Sequence, residues 1–209
     1  MKSKIRVLIV DDHAMIRLAL AEAIARKPQF ELAGEAIDGE QAVEMCRRVL
    51  PDVVTMDFQL PGIDGVEAST RILEGCPSAR IILISVFDGE EDIWRAVQAG
   101  ARGYLLKSLE VEELLDAIQH VAAGDTYFPP KIAAKIAARR SRQNLTPREI
   151  QVLQQLVAGR SNKEIAADLG VSESMAKAHL KHLFAKLGVA DRTQAAITAV
   201  HRGLVHLKI

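Results

Sequence analysis

The sequence predicts a two-part α/β protein: a doubly wound, five-stranded parallel-sheet domain followed by an all-α domain of four helices. Three observations carry this. Apolar runs of strand length alternate with segments of helical periodicity through the first 125 residues. After Gly124 the helical pattern continues, and from Thr146 onward there are no strand-like runs. The charge changes sign near the same place. Residues 1–130 carry 22 acidic and 13 basic side chains and residues 131–209 carry 5 and 14, so a formal net charge of zero conceals −9 against +9.

The elements follow in order. Arg6–Val10 is a strand-length apolar run, and 14–27 has helical periodicity. Phe30–Glu35 is a weaker strand, followed by a helix over 39–49. Val53–Met56 and 64–74 repeat the pair, as do Ile81–Ile84 and 89–99, then Gly103–Leu106 and 110–123. Runs of Val, Ile and Leu fit parallel strands covered on both faces. Right-handed crossovers then place chemistry at the carboxyl ends of the strands. Residues 1–124 are expected to form this domain, with 125–144 a partly helical linker because Arg and Lys interrupt its Ala-rich stretch. Residues 145–209 form the second domain. Thr146, Pro147 and Glu149 read as N-cap, first helical residue and capping-box acid. Gly159 ends that helix, and Ser161 with Glu164 opens the next, which runs to Leu169. Gly170-Val171 turns the chain, Ser172 or Ser174 opens a third helix reaching Leu187, and a fourth covers roughly 192–202.

Composition narrows the function. A chain 49% hydrophobic and 26% charged is that of an ordinary globular protein, and with 4% aromatic residues its core must be aliphatic. Cys46 and Cys76 form no CxxC pair, which argues against a disulfide scaffold or thiolate zinc site and fits the cytoplasm. The first apolar run ends at Asp11, too short for a signal peptide or a membrane span. No GxxxxGK[ST] loop is present to cradle a nucleotide.

Five polar residues fall at one predicted sheet edge: Asp11 and Asp12 after the first strand, Asp57 after the third, Ser85 after the fourth and Lys107 after the fifth. A single Asp there is ordinarily a cap or turn residue; the set of five points to phosphoryl transfer. Clustered carboxylates repel, and Mg²⁺ would neutralise them. Asp57 is the expected nucleophile, Lys107 stabilises the transferring oxygens, and Ser85 donates to the phosphoryl group once attached. A phosphatase would share this pocket, but the sequence offers no evident general acid/base.

The stretches VLIVDDH (7–13), TMDFQLPGIDG (55–65), ILISVF (82–87) and GARGYLLK (100–107), in order and with matching spacing, resemble the receiver domain of bacterial two-component response regulators. The resemblance implies a flavodoxin-like sheet of order 2-1-3-4-5, with Asp57 as phospho-acceptor. It implies Asp12 as a direct metal ligand, Asp11 acting largely through water, and the backbone carbonyl of Gln59 completing the Mg²⁺ contacts. It also makes Ser85 and Tyr104 the switch pair and a sensor histidine kinase the donor. Read without it, Tyr104 is a half-buried strand aromatic.

The basic tail has the length of a helix-turn-helix, whose second helix enters the major groove. Candidate DNA contacts along it are Ser172, Glu173, Lys177, Lys181, His182 and Lys186, the lysines as phosphate contacts. Residues 145–195 resemble the NarL/FixJ, or LuxR-type, DNA-binding domain, which adds Asn162 and Lys163 near the DNA backbone. The family pattern Ser-Glu-x-Thr-Val-Lys-x-His stands here as Ser172-Glu173-Ser174-Met175-Ala176-Lys177-Ala178-His179. Met175 removes a hydroxyl, and Ala176 is expected to retain only a methyl for thymine, relaxing base readout.

The two halves together imply a phosphorylation-gated, DNA-binding transcription regulator, homodimeric when phosphorylated, with no enzymatic role beyond slow self-dephosphorylation. The alternative is a receiver-type protein-interaction module with a degenerate DNA-binding tail.

Overall fold

The computed structural model describes residues 4–206. The chain divides into two compact units, with the main division between Lys135 and Ile136. Up to that division the chain forms β1 (Ile5–Val10), α1 (Ala14–Ala25), β2 (Phe30–Ala36), α2 (Gly39–Val49), β3 (Val53–Asp57), α3 (Gly65–Gly75), β4 (Arg80–Ser85), α4 (Glu90–Gln98), β5 (Gly103–Leu106) and α5 (Val111–Ala123). All five strands are parallel, in the order β2-β1-β3-β4-β5. β3 is buried along its whole length, as a central strand covered on both faces must be. One face packs Val7, Ile9, Val53, Ile82 and Leu105 against Leu20 and Ile24 of α1 and Leu114, Ile118 and Val121 of α5.

One boundary differs from the expectation in a way that matters. Asp57 and Ser85 do not follow β3 and β4; they are the last residues of those strands. Their backbones still pair, Asp57 opposite Ile84 and Ser85 opposite Leu106, so both functional side chains issue from the rigid sheet. Beyond α5, Gly124 adopts a left-handed conformation (φ 105°) that ends the helix. The chain then returns to the sheet, where Tyr127 donates to Arg102 O at 2.8 Å, before α6 (Pro130–Arg140) begins. The start of the expected linker is thus part of the sheet edge.

The second unit contains α7 (Pro147–Val157), α8 (Asn162–Leu169), α9 (Glu173–Leu187) and α10 (Arg192–His201). Capping boxes close the first two, at Thr146/Glu149 and Ser161/Glu164. Ser172, not Ser174, caps α9 by accepting from Met175 N. Gly170 (φ 64°) and Gly188 (φ 71°) end α8 and α9 in the left-handed region that favours glycine. Val152, Leu153, Leu156, Ile165, Leu180, Leu183 and Ala199 form the shared core.

Glu149 does double duty here. It closes the capping box and accepts from Lys186 Nζ at 2.7 Å. Burial pushes its pKa up, but the Lys186 ammonium and the Thr146 hydrogen bonds outweigh burial and hold it below the ordinary carboxylate range. A depressed folded-state pKa contributes stability above the unfolded value and loses it as pH falls through the folded one. Glu149→Gln is therefore expected to cost about 1–2 kcal/mol near neutral pH. It should also remove part of the decline in melting temperature below about pH 4.5, read by scanning calorimetry on the full chain.

Candidate functional sites

The sheet register builds the first site. Val10 stands opposite Met56, so Asp11, one residue on, reaches the level of Asp57. Both carboxylates are almost fully buried, at 2% and 3% exposure. The Lys107 ammonium lies 2.9 Å from Asp11 Oδ2 and 2.7 Å from Asp57 Oδ2. The remaining oxygens are held by the backbone: His13 N donates to Asp11 Oδ1 at 2.8 Å, and Gln59 N to Asp57 Oδ1 at 3.2 Å. Asp12 is exposed at the rim, its Oδ1 2.6 Å from His13 Nδ1. Burial pushes the Asp57 pKa up; Lys107 opposes this, and the neighbouring Asp11 adds to it. Burial disfavours the Lys107 ammonium, but its pairing with Asp57 and Asp11 prevails and raises its pKa. Lys107 is therefore a fixed cation beside the Asp57 carboxylate.

The donor chemistry fits a divalent cation. Ligand atoms from Asp11, Asp12, His13 and Asp57 lie within 4.8 Å of one another. Three carboxylates face the one ammonium of Lys107, leaving two negative charges for an ion to neutralise. His13 is the member that sequence reasoning missed: it stands at the end of VLIVDDH, and nothing in its spacing separates it from an ordinary residue preceding a helix.

The loop beyond Asp57 is pinned close. Gly65 N donates to Phe58 O at 3.0 Å, and a Cβ on Gly65 would stand 2.0 Å from Asp57 O. Glycine is required here for close backbone approach. Gly65→Ala is expected to destabilise the chain by about 1–3 kcal/mol and to slow phosphoryl uptake by displacing Asp57, read by thermal melting and by mass spectrometry after acetyl phosphate treatment.

Ser85 and Tyr104 are joined through one residue. Phe87 N donates to Ser85 Oγ at 2.9 Å, and Tyr104 OH donates to Phe87 O at 2.8 Å. Tyr104 is fully buried, not half-buried, with its ring edge-on to Phe58 at 6.4 Å. The hydroxyl is satisfied by the β4–α4 loop, which is what permits complete burial of the ring.

The second unit sorts the expected DNA contacts. Lys163, Ser172, Glu173, Lys177, Lys181 and His182 are exposed, and Asn162 is half-buried at the first turn of α8. Lys177 Nζ pairs with Glu173 at 2.9 Å on the surface. A concavity beside α9 gathers Asn162, Lys177 and Lys181 with Arg192, a cation the sequence reading did not single out. Arg192 carries its guanidinium to the carbonyl oxygens of Leu156 and Arg160, at 2.9 and 2.6 Å. Lys186 Nζ pairs with buried Glu149 at 2.7 Å within the helical unit. One expectation needs correction. Ala176 is fully buried in the helical core, so its methyl cannot meet a thymine; Met175 beside it is exposed. The spacing of four residues from Ala176 to Leu180 and three more to Leu183 puts Ala176 on the core stripe.

A parallel sheet with a buried acid–lysine pocket, joined to a basic helix-turn-helix, defines a receiver coupled to a DNA-binding domain. A profile described as "Response regulator receiver domain" matches residues 7–119, and one described as "Bacterial regulatory proteins, luxR family" matches residues 143–199. The chain belongs to the two-component response regulators of the NarL/FixJ type. It is 38% identical over 215 residues to the uncharacterized transcriptional regulatory protein YxjL of Bacillus subtilis, covering 98% of this chain and 99% of that protein. It is 37% identical to the nitrate/nitrite response regulator protein NarL of Escherichia coli, covering 91% and 93%. Among solved structures, the response regulator ChrA of a heme-sensing two-component system matches at 36% identity and a TM-score of 0.57, over 97% of this chain and all of that one. Among the described residues, no helix is long and apolar enough to cross a membrane.

Proposed function

We propose that residues 1–124 accept a phosphoryl group on Asp57 from a sensor histidine kinase, and that residues 145–209, joined by 125–144, bind promoter DNA under that control. The observation that carries this reading is the Lys107 ammonium bridging buried Asp11 and Asp57 at the strand ends. An Asp57 carboxylate oxygen attacks phosphorus, and the bond to the kinase imidazole nitrogen breaks. Lys107 exchanges its contact with the attacking carboxylate for the incoming oxygens. Asp11, Asp12, Asp57 and the Gln59 carbonyl would hold Mg²⁺, which would supply charge neutralisation at the transferring group. Ser85 then donates to a phosphoryl oxygen. Its motion is passed to Phe87, and Tyr104 follows because its hydroxyl is tied to Phe87 O.

For the second unit, Asn162, Lys163, Lys177 and Lys181 position the phosphate backbone, Ser172 and Glu173 at the N-terminus of α9 meet the base edges, and His182 lies further along the same helix. The relatives named are transcriptional and response regulator proteins, which supports a transcription regulator; our reading of it as cytoplasmic and homodimeric when phosphorylated rests on the resemblance to its family.

The test is fluorescence anisotropy of labelled duplex DNA with the intact chain, with and without acetyl phosphate and Mg²⁺. Binding at least several-fold tighter with the phosphodonor is expected. Absence of duplex binding in both states would overturn the reading and favour a protein-interaction module with a degenerate tail. Rapid multiple turnover of the phosphodonor would favour a phosphatase.

A further inference from the structure

His13 occupies the N-cap position of α1, where Ser, Thr, Asp or Asn ordinarily caps with its side chain. Its side chain makes no capping hydrogen bond. Instead the ring turns toward the acidic pocket, with Nδ1 2.6 Å from Asp12 Oδ1 and 3.3 Å from Asp11 Oδ1. The ring is also 64% exposed, so it can adjust its position without unpacking the core.

These positions make the pocket a mixed donor set. Ions bound by nitrogen and oxygen ligands hold them at about 2.0–2.2 Å, so ligand atoms around one ion lie no more than about 4.4 Å apart. The four ligand atoms of Asp11, Asp12, His13 and Asp57 already fall within 4.8 Å of one another. Small side-chain adjustments bring them to one centre. Carboxylates suit Mg²⁺ and Mn²⁺; a neutral imidazole adds affinity for the later first-row ions and little for Mg²⁺.

We propose that His13 is an imidazole ligand that tunes this pocket toward a first-row transition-metal divalent cation over Mg²⁺. The inference rests on the pocket binding a divalent cation at all, as the proposed function requires. His13 thereby sets which cation accompanies Asp57, a selectivity that the carboxylates alone do not provide.

The experiment is calorimetric titration of the full-length chain with Mg²⁺ and separately with Co²⁺, for the unsubstituted protein, His13→Ala and Asp12→Asn. Visible absorption of the bound Co²⁺ reports nitrogen ligation independently. Asp12→Asn identifies the pocket, because the other histidines remain in place. The expected result is Co²⁺ affinity weakened at least tenfold by His13→Ala, a changed Co²⁺ spectrum, and Mg²⁺ affinity altered less than twofold. If Co²⁺ binds through Asp12 with the same affinity and spectrum in His13→Ala, the role of His13 is overturned while the metal pocket stands. If Asp12→Asn changes the binding of neither ion, the metal pocket and the role of His13 fall together.

Discussion

Asp57→Asn is expected to abolish stable phosphoryl uptake from acetyl phosphate, read as the mass of the intact chain. An amide has nearly the shape of the carboxylate but lacks the anionic oxygen that attacks phosphorus. The surroundings should survive the change. Lys107 keeps Asp11 at 2.9 Å, and Gln59 N can still donate to the remaining side-chain oxygen. Stability gives an internal control. Burial raises the Asp57 pKa, against the pull of Lys107 and with the help of Asp11, so folding favours its protonated form. A raised folded-state pKa contributes stability below the unfolded value and withdraws it as pH rises through the folded one. At neutral pH the ionised Asp57 is a burden on the fold, and the neutral variant is expected to melt no lower than the parent chain. Lost uptake with an undiminished melting temperature assigns the reaction to Asp57. Undiminished uptake by the variant would place the acceptor elsewhere.

The paired substitution Lys177→Ala and Lys181→Ala should weaken duplex binding tenfold or more near physiological salt. It should also reduce the slope of log affinity against log salt by about 1.8, at about 0.9 per phosphate contact removed. Both ammonium groups are on the surface of α9 and line the concavity with Asn162. The Lys177 pair with Glu173 is solvent-exposed and adds little to stability, so the double variant should remain folded. Lys186→Ala is the informative contrast. Its partner is buried Glu149, and its loss should lower the melting temperature of the helical unit while leaving the salt slope unchanged. A salt slope that fell equally for Lys186→Ala would show that its charge reaches DNA after all.

These contrasts show where sequence reasoning reached and where it stopped. Asp11, Asp12, Asp57, Ser85 and Lys107 are recognisable because each ends, or just follows, a short aliphatic run, and strands that run parallel carry their ends to one edge. The helix caps at Thr146 and Ser161 are equally legible, since capping involves residues only three positions apart, whereas the cap of α9 was legible only as Ser172 or Ser174. Ala176 was misplaced because Val or Ala at that position suits a base-facing methyl and a core methyl equally well. Its burial is decided by the helices packed against α9. The pairing of Lys186 was illegible for a related reason: its partner Glu149 lies 37 positions away, and charge in sequence does not reveal pairing in space.

The amino-acid sequence alone therefore determined the order of strands and helices, the division into an acidic and a basic part, and the gathering of reactive side chains at one sheet edge. Periodicity, capping and turn chemistry are local, and parallel pairing follows from them. Tertiary structure decided which of those side chains are bound to one another: Lys107 between Asp11 and Asp57, Tyr104 to Phe87, Lys186 to Glu149. Those pairings arise because folding brings distant groups within a few ångströms and removes them from water, which gives each charge or hydroxyl a partner that sequence spacing does not encode.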